Sequence, residues 1–143
     1  MKKTLILTLV IITFLSCSND DDNSNSINNC DLEVVVSAEQ YENAPSFQLY
    51  INSLEIDGNC LKIDFTASGC SGESWEVKLI DSEQIIESNP TQRNLRLSLK
   101  NNELCHALPN KTMTFDISKL QIQNKNQVYL NITNSDDKIL YEY

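Results

Sequence analysis

Glycine and proline are scarce in this 143-residue chain, at three residues each, and histidine and tryptophan occur once each. The longest apolar stretch, Leu5 to Leu15, is only eleven residues. Each shortage removes a class of function. With His106 the sole histidine, a Ser-His-Asp triad has one possible base, and no G-x-S-x-G turn is present to carry its nucleophile. HExxH, the P-loop and the dinucleotide fingerprint are also missing. No two cysteines lie two to four residues apart, so the spacing of a zinc site is absent as well. The apolar stretch falls short of the ~18–20 residues needed to span a hydrocarbon core. These absences point to a non-catalytic chain with no metal and no cofactor.

Positive charge is in deficit too. From Cys30 to Tyr143, nine Lys and Arg stand against seventeen Asp and Glu, a formal charge of −8. Such a surface repels phosphate backbones and argues against nucleic acid as a partner. Those 114 residues are enough for one domain with a modest core.

The residues present at the N-terminus follow a secretory pattern. Lys2 and Lys3 precede the apolar stretch, which has the length of a signal-peptide core. An ordinary cleavage site before Cys17 would place Ser16 and bulky Phe14 at the two positions that want small residues, a poor fit. The segment FLSC, residues 14 to 17, instead resembles the signal of bacterial lipoproteins, in which a cysteine becomes the lipidated N-terminus. The following SNDDDNS resembles the acidic signal that exports certain Gram-negative lipoproteins to the outer face of the outer membrane. The resemblance implies a signal peptide over residues 1–16, lipid on Cys17, and several acyl chains as the only membrane attachment. It covers about the first 24 residues and implies location, not activity.

Residues 18–29 contain one apolar residue, Ile27, and read as a solvated tether continuing from Cys17. Asp20 and Asp22 have the alternate spacing of a calcium loop. The glycine such a loop needs at its sixth position is Asn25, and its bidentate glutamate is Asp31.

Four cysteines remain, Cys30, Cys60, Cys70 and Cys105, and an even count in an exported chain implies two disulfides. The expected pairing is Cys30 with Cys60 and Cys70 with Cys105. Alternation argues for strands: Leu61, Ile63, Phe65 and Ala67 face one way while Lys62, Asp64 and Thr66 face the other. Trp75, Val77 and Leu79 repeat the pattern, as do Leu95, Leu97 and Leu99, then Val128, Leu130 and Ile132, then Ile139, Tyr141 and Tyr143. Asp57-Gly58 between two such runs predicts a hairpin turn. No window predicts a helix of three turns, although Glu39 to Asn43 could form one. The expected fold is all-β: a small antiparallel β-sandwich over residues 30–143, with seven to nine short strands and an immunoglobulin-like general shape. The order Cys60, Trp75, Cys105 mimics immunoglobulin domains. However, Glu103 stands where their corner tyrosine would be, and Cys60 shares a strand face with polar Lys62 and Asp64.

Candidate contact residues are few. Arg93 and Arg96, the only arginines, and Lys100 interrupt an acidic surface. They would suit an anionic glycan or acidic protein, or else pair with cross-strand carboxylates. Trp75 follows the loop SGCSGES and reads either as a contact aromatic or as core. The terminal YEY reads as edge packing. His106 reads as a surface residue beside a disulfide. The whole predicts a lipid-anchored outer-membrane binding module for an envelope protein or glycan, with a carboxylate-dependent hydrolase or a purely structural role as alternatives.

Overall fold

The computed structural model describes residues 30–143; the signal segment, Cys17, the tether and nearly all of the calcium-loop comparison lie outside it. Nine strands form among the described residues. One sheet contains β1 (Leu32–Glu33), β3 (Leu49–Asp57), β4 (Cys60–Ala67) and β7 (Asn110–Asp116), in the order β1-β7-β4-β3. The other contains β2 (Val35–Val36), β5 (Glu76–Ile86), β6 (Gln92–Lys100), β8 (Gln127–Ile132) and β9 (Lys138–Glu142), in the order β2-β5-β6-β8-β9.

Alternation places the core. Leu61, Ile63, Phe65 and Ala67 of β4 are fully buried, facing Leu79 of β5, Leu95, Leu97 and Leu99 of β6, and Val128 and Leu130 of β8. Tyr141 is also fully buried. Its hydroxyl donates to Asn59 Oδ1 at 2.6 Å and accepts from Gln121 Nε2 at 2.9 Å, so the edge strand β9 contributes a core residue through Tyr141.

The β3–β4 hairpin closes through Gly58 and Asn59, one residue later than Asp-Gly predicts. Gly58 has φ +56°, and Asn59 is not among the positive-φ residues. Glycine with positive φ at the first central position alone is the II′ pattern.

The sheets are mixed, which corrects the antiparallel expectation: β1–β7, β2–β5 and β6–β8 pair in parallel. Parallel pairing needs a crossover, and here the chain supplies it by changing sheets. Residues 32–36 run along the edge of β7 and then along the edge of β5. Between the two strands, buried Val34 drops into the core.

The helix α1 (Ala38–Asn43) is capped by Ser37, whose Oγ accepts the Gln40 N–H at 3.2 Å. Lys78 Nζ of β5 donates to Gln40 Oε1 at 3.1 Å, holding the helix over the outer face of the five-stranded sheet.

Cys30 is bonded to Cys60, and Cys70 to Cys105, closing loops of 30 and 35 residues. By loop-closure entropy each contributes about 3–4 kcal/mol, a large share of the stability of a domain this size. Cys60 is therefore not an inter-sheet cysteine of the immunoglobulin type.

Arg93 and Asp81 occupy inward positions that alternation would otherwise give to apolar residues. Arg93 Nε and Nη2 reach Asp81 Oδ2 and Oδ1 at 2.9 and 2.6 Å, a bidentate pair with side chains 8% and 0% exposed. Asp81 Oδ1 also accepts the Glu83 N–H at 2.8 Å, where β5 bulges and Glu83 takes φ +61°. Removing one partner would strand a buried charge. Arg93→Ala or Asp81→Ala is expected to cost about 3–5 kcal/mol, and the double replacement Arg93→Met/Asp81→Leu much less than the sum. Urea unfolding of the four proteins tests this; strictly additive losses would contradict it.

Candidate functional site

Strands β4 and β6 end, and β3, β5 and β7 begin, at one end of the sandwich. The loops gathered there are 44–48, 68–75 and 101–109. The Cys70–Cys105 bridge ties the second loop to the third. Beside it, the Gly69 N–H donates to Ala107 O at 3.0 Å, and Asn101 Nδ2 donates to Ser68 O at 2.6 Å.

Glu103 completes the brace. Its Oε2 accepts the N–H groups of Cys70 and Gly72, and its Oε1 accepts Ser74 Oγ–H at 2.9 Å. Its own N–H donates to Asn101 Oδ1 at 2.8 Å. Burial by itself would raise this carboxyl; the hydrogen bonds from Cys70, Gly72 and Ser74 outweigh it and bring the pKa down from 4.5 to about 2. The loop thus wraps the half-exposed Glu103 carboxylate. A Cβ on Gly69 would lie 2.6 Å from Glu103 Oε2, so the close approach favours glycine there, and Gly72 has φ +72°, a backbone conformation that side chains other than glycine rarely adopt.

Trp75 is part-buried, its ring 6.0 Å from that of Phe65 and packed against the core. One side of it lines an open cleft of about 380 Å³ together with Val77, Met113, Lys111 and Asp31. It is a core aromatic with one accessible side, nearer the core alternative than the contact one.

The basic candidates do not come together. Arg93 is buried against Asp81 and is withdrawn as a contact residue. Arg96 Nη2 donates to Gln40 O and Ala44 O, both at 3.1 Å, and its guanidinium lies 5.8 Å from the Tyr41 ring centre. It serves the end of α1, adding to the Ala44 N–H on Gln40 O and binding the Ala44 carbonyl. Lys100 is exposed and paired with Glu76 across the strands at 2.6 Å. His106 is exposed beside the bridge.

What sequence reasoning missed is the surface of this end. Leu104 is 91% exposed, Leu108 67%, Tyr50 60% and Phe47 37%. Leu104 and Leu108 flank Cys105 and His106 in a loop with no alternating partner, a signal that could have singled them out.

Asp31 and Asp64 are also held below the usual carboxylate value. Asp31 is lowered first by the backbone N–H of Thr114, and Asp64 first by the side chain of Asn52, then by Asn110 and Thr112.

The sign of the Glu103 effect sets its pH dependence. A carboxyl lowered from 4.5 to about 2 adds stability that is complete above pH 4.5 and lost as pH falls toward 2. Glu103→Gln is expected to melt below the wild type at neutral pH, the gap closing through that window. A gap that persists unchanged at pH 2 would contradict the assignment.

No protein-family model matches the chain, and no curated protein matches it. Solved structures resemble it. One is a protein of unknown function, DUF1344, from Bacteroides vulgatus, with TM-score 0.54 and 13% identity over 78% of this chain and 56% of that one. Another is a putative toxin-related protein from Parabacteroides distasonis, with TM-score 0.52 and 14% identity over 78% of this chain and 60% of that one. The chain thus spans less than two thirds of either structure, and at such identities the likeness shows the fold alone: a small all-β sandwich.

Proposed function

We propose that the protein is an envelope lipoprotein, held at the outer membrane through lipid on Cys17, and that it acts as a non-catalytic binding module. The braced loop end is its contact surface, and its ligand there is another envelope protein. The observation that carries this reading is the opposition of the two ends. Cys30, where the chain from Cys17 joins the domain, is bonded to Cys60 beside the Gly58–Asn59 turn. Leu104 and Leu108 stand at the far end, beyond the eight residues of β4, about 25 Å away. The twelve residues between Cys17 and Cys30 reach at most about 40 Å, so anchoring there keeps the turn end nearer the membrane on average.

Rigidity and apolar exposure at the free end support a protein partner. Exposed leucines on a loop fixed by a bridge and the Glu103 carboxylate bury area on binding with little further ordering cost.

Two measurements on the full chain in its own envelope test this. A photo-crosslinking residue at Leu104 is expected to give a discrete adduct, lost on Leu108→Asp, while the same residue at Asp57 gives none. Equal adducts at both positions, or none at Leu104, would contradict the loop-end reading. Cys17→Ser is expected to abolish fatty-acid labelling and release the protein from membranes; continued labelling would contradict the anchor.

A further inference from the structure

The outer face of the four-stranded sheet carries a polar lattice across β3, β4 and β7. β3 bulges between Ile51 and Ser53, and the extra residue, Asn52, leans onto this face. Asn52 Nδ2 shares its two hydrogens among Asp64 Oδ1 at 2.7 Å and Thr66 Oγ1 and Asn110 Oδ1, both at 2.9 Å. Asp64 Oδ2 accepts from Asn110 Nδ2 and from Thr112 Oγ1, both at 2.9 Å. These residues come from three adjacent strands, and Asn52, Asn110 and Thr112 are exposed. Core packing fixes none of them, since all point away from it.

Beside the lattice lies Tyr50, directly across from Thr66 and 60% exposed. Gln48 Nε2 donates to its hydroxyl at 2.8 Å, which holds the ring at the surface. Along β4, Thr66 and Asp64 on one face are ~6.6 Å apart. That is about the width of one sugar ring, so a ring stacked on Tyr50 would carry its hydroxyl edge to Asn52 and Asp64.

The hydrogen-bond inventory points the same way. Asn52 Oδ1 takes no hydrogen bond from the described residues, and Asp64 Oδ1 accepts only the one from Asn52. Asn110 keeps one amide hydrogen, and the Thr112 hydroxyl can still accept. The free capacity is a mixture of neutral donors and acceptors around one carboxylate, matched to hydroxyl groups that both donate and accept. The nearest cation on the face, Lys62, is engaged by Glu55 at 3.0 Å. A polyanion would meet Asp64 and Glu55 against the single charge of Lys62, on a domain of formal charge −8.

From this arrangement we infer that the outer face of the four-stranded sheet is a carbohydrate-binding site for a neutral glycan, with Tyr50 as the stacking platform and Asn52, Asp64, Asn110 and Thr112 as the hydroxyl-reading groups. The site lies on a sheet face that borders the loop end, Asn110 being two residues from Leu108, but its polar chemistry does not rest on the loop-end reading.

The test uses the full chain in a zwitterionic detergent, passed over immobilised β-glucan, xylan, mannan and starch, with polygalacturonate and heparin as anionic columns and polylysine as a cationic one. Retention is expected on at least one neutral column. Tyr50→Ala and Asp64→Asn should each weaken it ~10-fold or more, the effect of losing one good contact, while Tyr50→Phe keeps most of it. Tyr50 is exposed enough that its replacement leaves folding intact, which thermal unfolding of each variant checks. Absence of retention on every neutral column would overturn the inference. So would retention that survives both substitutions, or stronger retention on an anionic or polylysine column.

Discussion

Everything in this domain follows from one constraint: two facing sheets must fill a narrow space using every second residue of each strand. Leu61, Ile63 and Phe65 meet it simply. Where the inward register falls on Arg93 and Asp81, the two charges had to pair, because neither could be buried alone. Where it falls outward, Arg96 and Lys100 are spent on the end of α1 and on Glu76. What remains for partners is therefore the material that the constraint leaves over, namely the loops at one end and the polar face of the four-stranded sheet.

Those two leftovers differ in kind. The loop end has no sheet to hold it and is shaped instead by a cystine bridge and the Glu103 carboxylate, with Leu104 and Leu108 outward. The sheet face inherits its shape from the strands beneath it, modified by a single bulge at Asn52. One surface offers apolar area and the other offers hydroxyl-scale hydrogen bonding beside Tyr50. A domain can carry both without conflict, since the first depends on loop closure and the second on strand register.

Much of the fold was legible in the sequence because period-two alternation is local. The strands around Leu61–Ala67, Leu95–Leu99 and Val128–Ile132 and the pairing of the four cysteines are found where the residues place them. The pairing of Arg93 with Asp81 was legible too. Arg93 continues the series Leu95, Leu97, Leu99, and Asp81 continues Trp75, Val77, Leu79. Treating Arg93 as a surface residue overlooked that parity. The parallel strands β1 and β2 were not visible, because two-residue strands have no period and their partners lie far along the chain. Nor was the role of Glu103, which exists only where loops 33 and 31 residues apart converge on Cys70 and Gly72.

The central claim is that the loop end is a preformed surface held by tertiary hydrogen bonds and the Cys70–Cys105 bridge. Amide hydrogen exchange on the intact, oxidised protein addresses it most directly. The amides of Gly69, Cys70 and Gly72, bonded to Ala107 and Glu103, should exchange as slowly as those at strand ends, and should become fast in Cys70→Ala/Cys105→Ala while the amides of β4 and β6 stay protected. Fast exchange at these three amides in the unaltered protein would contradict the account.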